Sequence, residues 1–267
     1  MPISVSSSLG HRLGPVRHRV GPQPNPALER YPFVVKLLLG DRHVCDGSLI
    51  FKDIVLSESD CIVERMPFDY NKITPYYVLL NLRAQLGNNK NSTLEVAKIV
   101  YRDKFALLKL QSAFPVDASS DKIVEMAGSE EDIEIFGNAT AVTQGKFTSF
   151  TGNTSTVDLF ISPDHYCVDQ LPSRGSSEIC VRHLGPDYCP THKGGPIVLK
   201  NRQVAIISSI NIRGLPNPCF IGKKFGTYPS IIGARGWIDS TVKLLDDGAK
   251  NFGYPDFVIN VHSVVNR

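Results

Sequence analysis

The run Asp187-Tyr188-Cys189-Pro190-Thr191-His192-Lys193-Gly194-Gly195-Pro196 gathers a carboxylate, a thiol, a hydroxyl, an imidazole and an amine. Ser59-Asp60-Cys61 and Lys104 add a second hydroxyl, carboxylate and amine. Thr191 beside His192, or Ser59 beside Asp60, would be a nucleophile with its base if the fold aligned them. The plainer reading of both pairs is solvated loop residues. Lys193 would attack as an amine if burial lowered its pKa. An ion pair with Asp60 or Asp187 is the simpler expectation, because a buried lone ammonium is costly. Cys189 and His192 have the spacing of two metal ligands, but no second such pair completes a tetrahedral set. No metal and no other cofactor is therefore expected.

The elements that must position these groups read as short strands. Apolar segments recur at Pro32–Leu39, Ser48–Ile50, Ile54–Leu56, Tyr76–Leu80, Leu94–Val100 and Phe105–Leu110. A second series covers Ile133–Gly137, Thr156–Ile161, Ile197–Leu199 and Val204–Ile207. Short strands with frequent turn signals predict an all-β sandwich or barrel. One helix is expected near the end, with Ser230 as its cap and Ile231, Ala234, Ile238, Val242 and Leu245 at helical spacing. Gly233 and Gly236 oppose it by about 1 kcal/mol each. Residues 1–19 read as a flexible tail, 112–130 as a linker and 246–267 as an extension with no evident partner.

The chain has 267 residues and a net charge of +3, too small to argue for nucleic acid. No apolar run approaches the roughly 20 residues of a membrane helix. Six cysteines, Cys45, Cys61, Cys167, Cys180, Cys189 and Cys219, suggest disulfides and an oxidising compartment. Sequons at Asn91, Asn138 and Asn153 fit a secreted glycoprotein. Met1–Val20 lacks the apolar core of about 7–15 residues that a secretory signal needs. The cysteines outweigh that, and the true start is expected upstream or the form is incomplete.

Taken in order, the motifs resemble the chymotrypsin/trypsin family of serine proteases over roughly residues 20–245. Cys189–Pro196 resembles C-x-G-D-S-G-G-P. His43-Val44-Cys45-Asp46-Gly47-Ser48-Leu49-Ile50 resembles H-x-C-G-G-S-L-I, and Val55–Cys61 resembles V-L-T-A-A-H-C. Phe105–Leu110 resembles the end of D-I-A-L-L-K-L, Phe225–Tyr228 resembles P-G-V-Y, and Trp237-Ile238 the W-I of the last helix. The resemblance implies two packed antiparallel six-stranded β-barrels, at about 31–112 and 130–229, followed by a helix at 230–245. It also implies the pairs Cys45–Cys61, Cys167–Cys180 and Cys189–Cys219.

Carried over by position, the resemblance puts Asp60 where the imidazole stands, Lys104 where the carboxylate stands and Lys193 where the hydroxyl stands. Thr191 takes the place of the oxyanion-hole glycine. Asp187, Ile210 and Gly226 fall in the specificity pocket, with Ile210 narrowing its entrance. His43 falls at a structural histidine. Arg19-Val20-Gly21-Pro22 resembles the activation junction, but His192 holds the acidic position that would receive the new terminus. Asp60, Lys104 and Lys193 are expected to form one charge network. These departures predict that the chain is not an enzyme. They point to a pseudoprotease that binds proteins, proteases or their substrates among them, as a regulator or decoy in an extracellular cascade. The alternatives are a hydrolase with rearranged residues and a secreted ligand-binding protein on the same scaffold.

Overall fold

Tight turns between apolar strands set the architecture of the first sheet. The computed structural model describes residues 29–63, 82–87, 91–116, 121–149, 152–168, 177–183, 188–208, 210–212, 215–217, 225–247 and 257–260. Strands β1 (Val34–Leu39), β2 (Arg42–Phe51) and β3 (Ile54–Glu58) lead into a one-turn helix, α1 (Asp60–Val63). Strands β4 (Leu82–Leu86), β5 (Thr93–Arg102) and β6 (Phe105–Leu110) follow. The antiparallel order is β5-β4-β1-β2-β3-β6, and β5 also pairs with β6, so six strands close into a barrel. Leu37, Leu49 and Ile99 lie on one face of this sheet and Ile54, Leu56 and Leu107 on the other, all fully buried. Each such side chain contributes about 1.5–3 kcal/mol of burial. The turn from β5 to β6 is Asp103-Lys104, and Asp103 takes a left-handed φ of 51°, a conformation that Asp tolerates better than most residues. That turn presents Lys104.

The second sheet contains β7 (Glu125–Met126), β8 (Asn138–Ser149) and β9 (Gly152–Ile161). After the short helix α2 (His165–Val168) come β10 (Glu178–His183), β11 (Tyr188–Pro190), β12 (Pro196–Leu199) and β13 (Arg202–Ile206). A small hairpin of β14 (Ile210–Ile212) and β15 (Leu215–Asn217) precedes β16 (Phe225–Pro229), helix α3 (Ile231–Asp246) and β17 (Phe257–Asn260). The order is β16-β10-β9-β8-β12-β13-β7, with β11 also on β8. Among the described residues this sheet curls as a half-barrel and does not close. Its one parallel pairing joins β7 to β13. Phe147, Leu159, Ile161, Val181, Ile197, Val204 and Tyr228 form its buried side. Two packed antiparallel β units with a C-terminal helix are thus the fold the sequence implies.

Several elements differ from expectation. Ile133–Gly137 is a turn, not a strand. Ile135 and Phe136 are 45% and 59% exposed, and Phe136 has a φ of 68°. The strand begins instead at Asn138 and runs through the polar stretch to Ser149, which carries no apolar alternation to announce it. The linker at 112–130 contains β7. The C-terminal extension has a partner: β17 pairs antiparallel with β5, Val258 opposite Val100. The predicted strand at Tyr76–Leu80 and the tail 1–19 lie outside the described residues.

Helix α3 occupies the expected span, and Ile231, Trp237, Ile238 and Leu245 are buried against the core. Ser230 stands at the N-cap but makes no side-chain capping bond. The two helix glycines are not equivalent. A methyl at Gly236 would meet nothing within 4 Å, whereas one at Gly233 would strike Ser177. Gly236→Ala should therefore raise unfolding stability by about 0.5–1 kcal/mol. Gly233→Ala should lower it. Urea denaturation of the two variants checks this, and equal shifts would contradict it.

Candidate functional site

Two buried acids organise the seam between the sheets. Asp46 lies on β2, fully buried. Its backbone amide donates to the Lys193 carbonyl at 2.7 Å. Its Oδ1 lies 3.0 Å from His43 Nε2 and accepts from the Gln144 amide at 3.3 Å. Its Oδ2 accepts from the Thr143 hydroxyl, and its carbonyl accepts from Ser57 Oγ at 2.6 Å. One carboxylate thus joins β2 of the barrel to β8 of the second sheet. The implied fold has glycine at this place, and glycine makes none of the side-chain bonds.

Glu58 ends β3 and is also fully buried. Oε1 accepts from Ser208 Oγ, while Oε2 has no hydrogen-bond partner. Burial pushes this carboxyl up to about 7, partly offset by the Ser208 hydroxyl and by the charges of Lys193 and Lys104; Asp60 adds to the rise. Glu58 and Ser59 replace the two alanines of V-L-T-A-A-H-C. That exchange of an apolar residue for an acid is the signal that could have singled out Glu58.

Asp60 opens α1 and forms an ion pair with Lys104. The same corner is fixed by the Ser59 amide, which donates to the Lys104 carbonyl at 3.0 Å. Ser59 Oγ donates to the Asp103 carbonyl, so it serves the turn and not Asp60. Of the expected three-residue charge network, the Asp60–Lys104 limb is present. The Lys193 ammonium makes itself felt at Glu58, an acid outside the expected set.

The loop 191–195 is held on both sides. Thr191 and Lys146 exchange bonds of 2.8 Å and 2.9 Å. The Gly194 amide donates to the Ile207 carbonyl, and the Ile207 amide to the Gly195 carbonyl, both at 2.7 Å. Gly194 has a φ of 91°, and a methyl there would strike the Asp46 carbonyl and Ser57 Oγ, so glycine is required. The His192 ring stacks on His43 with centroids 3.7 Å apart. His192 Nε2 lies 3.2 Å from the His43 carbonyl, which can only accept, so Nε2 carries the proton. Nδ1 then faces Thr191 Oγ1 at 3.0 Å as an acceptor. His43 is the partner of Asp46 and of this ring.

The pocket residues are only partly in view. Asp187 and Cys219 lie outside the described residues. Ile210 is on β14, opposite Asn217 of β15. Gly226 is buried on β16, opposite Val181. Cys45–Cys61 and Cys167–Cys180 are disulfides. Cys189 is disulfide-bonded as well, so its thiol is no metal ligand. Asn91 and Asn138 are exposed, and Asn153 is on β9.

The family model described as Trypsin matches residues 19–238. Hypodermin-B of Hypoderma lineatum is 24% identical over 235 residues, 81% of this chain and 84% of the relative. Trypsin alpha of Drosophila melanogaster is 23% identical over 226 residues, 80% of this chain and 84% of the relative. Among solved structures, mouse neuropsin, a serine protease expressed in the limbic system of the brain, has a TM-score of 0.60 at 20% identity, covering 79% of this chain and 95% of that chain. Kallikrein-related peptidase 10 has a TM-score of 0.58 at 18% identity, covering 80% and 96%. At those identities the structures speak for the fold alone.

The family match and the trypsin-like relatives point to a serine protease and overturn the expectation that the chain is not an enzyme. That expectation rested on side-chain type at positions 60, 104 and 193. Three side chains do not decide whether a fold that also holds a hydroxyl 3.0 Å from an imidazole turns over a substrate.

Glu58 gives a signed pH dependence. The native carboxyl keeps its proton to about 7, against an ordinary value of 4.5. The native state therefore binds more protons between those values, and stability falls as pH rises through that window. The cost is fully present above about pH 7 and is on the order of 3 kcal/mol. Glu58→Gln should flatten the pH dependence from 5 to 7 and gain about 1–3 kcal/mol at pH 8. Urea midpoints at the two pH values check this. A variant that tracks the wild type at both would refute it.

Proposed function

The chain belongs to the trypsin family of serine proteases, and from that premise we propose that it is a secreted protein that binds polypeptides at the seam between its two sheets. Its role is that of a regulator or decoy in an extracellular proteolytic cascade, with proteases or their substrates as partners. The observation that carries this reading is the Asp60–Lys104 ion pair, whose side chains are 31% and 48% exposed. It fixes one anion and one cation at the mouth of the seam. Paired fixed charges select partners by complementarity. A cavity of about 200 Å³ adjoins it, lined by Arg102, Lys104, Glu178 and Trp237 among others. These residues come from the closed barrel, the second sheet and α3, so an occupant would touch all three. The disulfides and the exposed Asn91 and Asn138 support a secreted glycoprotein.

A second reading is hydrolysis through rearranged residues. It is favoured by the contact between Thr191 Oγ1 and His192 Nδ1 at 3.0 Å. A hydroxyl facing an unprotonated imidazole nitrogen is the pairing that serine-type chemistry uses.

Two measurements on the full chain separate the readings. Cross-linking in extracellular fluid should capture a protease or a protease substrate, and Lys104→Glu should reduce that capture about tenfold or more. Capture unchanged by the charge reversal would sink the binding reading. A stoichiometric fluorophosphonate adduct mapped to Thr191 would instead place hydrolysis first.

A further inference from the structure

Phe136 is the most exposed large apolar side chain among the described residues, at 59%. Its φ of 68° is left-handed, an outlier for a bulky residue. The backbone holds it there. The Phe136 amide donates to the Ile161 carbonyl, and the Gly137 amide to the Glu134 carbonyl, both at 2.9 Å. The Ile161 amide donates to the Gly137 carbonyl at 3.0 Å. An aromatic ring is thus fixed in solvent against its own backbone preference, and such an outlier points to a use.

Two residues on, Asn138-Ala139-Thr140 is a sequon that opens β8. Ala139 is buried, while Asn138 is exposed on the opposite face. Asn138 stands directly across from Phe160 of β9. Residues paired this way project from the same face, with Cβ atoms about 4.5–5.5 Å apart. The Phe136 ring leans on Phe160, with centroids 5.9 Å apart and planes at 43°. Asn138 therefore shares its face with two aromatic rings. Thr140, whose hydroxyl a sequon needs, donates from that face to Asp158 Oδ1 at 3.2 Å. The other two sequons lack the preceding ring: Asn89 stands two residues before Asn91, and Thr151 two before Asn153.

We propose that Asn138 carries an N-linked glycan whose first sugar lies on the Phe136 ring. The inference rests on the reading of the chain as a secreted glycoprotein and deepens it, by naming the site and the surface that receives the sugar. In the attachment step, Asn138 Nδ2 displaces the diphosphate from the anomeric carbon of a lipid-diphosphate-linked oligosaccharide. A C–N bond forms, the C–O bond to the diphosphate breaks, the diphosphate leaves with the electron pair, and the amide gives up one proton. One face of the attached pyranose presents only C–H groups, which are weakly positive. The face of an aromatic ring is negative, so the two attract. Their contact also removes apolar area from water on both sides, while the hydroxyls at the sugar's rim stay hydrated. The sugar thereby covers a ring that the fold leaves bare.

The test secretes the full chain from a eukaryotic host behind a cleavable leader and maps its glycopeptides by mass spectrometry. Asn138 should be occupied. An endoglycosidase then trims each glycan to one N-acetylglucosamine. Urea midpoints are read for this form and for Asn138→Gln, each with Phe136 and with Phe136→Ala. The sugar should raise the midpoint beside Phe136, and at least half of that rise should vanish in Phe136→Ala. No rise, or a rise that keeps more than half its size without the ring, overturns the proposal. A glycan on Asn91 or Asn153 with none on Asn138 overturns it and leaves the glycoprotein reading standing; a secreted chain with no glycan at all ends both. Should Phe136→Ala fail to fold, the N-acetyl methyl resonance of the trimmed wild type decides. Stacking moves it upfield of its position in the urea-unfolded chain, and an unmoved resonance overturns the proposal.

Discussion

The carboxylate of Asp46 is the constraint on which the seam depends. It receives hydrogen bonds from Thr143 and from the Gln144 amide of β8, while its own backbone amide is tied to Lys193. Remove it, and two buried donors on β8 and the half-buried His43 ring on β2 lose their acceptor together. Unsatisfied buried donors cost about 1–3 kcal/mol each. The order of the loop 191–195 follows from this anchor. Gly194 lies so close to the Asp46 carbonyl that a side chain there is excluded.

A second acid, equally buried, does different work. Glu58 has one oxygen on Ser208 and one with no hydrogen-bond partner. It lies within reach of the charges of Lys193, Asp60 and Lys104. Asp60 and Lys104 settle their charges against each other at the surface. The seam is therefore graded, from a paired charge at its mouth to a buried acid that keeps its proton up to about 7. A partner meeting this surface would find the outer pair first, which is why the proposed binding role is placed there.

Much of the fold was legible because its strands are apolar and its turns are short. Leu37, Leu56 and Leu107 mark strands by residue type alone. Strand β8 was not legible, since Thr140, Thr143, Gln144 and Lys146 break any alternation; sheet pairing, not local preference, makes it extended. Ile133–Gly137 misleads in the opposite sense, because apolar type does not reveal that Ile135 and Phe136 face solvent. The pairing of Asp60 with Lys104 followed from the family resemblance, which aligns two positions far apart in sequence. Strand β2 bulges at Val44, where Leu37 of β1 faces Cys45 and Leu38 faces His43, and this left no sequence mark, so the meeting of His43 with Asp46 could only be seen in the folded chain. Asp46 and Glu58 were visible as letters. Their roles depend on burial, which a single sequence does not report.

The most direct test of this account is the stability of Asp46→Ala by urea denaturation at neutral pH. The account predicts a loss of about 2–4 kcal/mol, as buried donors lose their shared acceptor. Stability within about 0.5 kcal/mol of the wild type, the range of a neutral surface change, would contradict it.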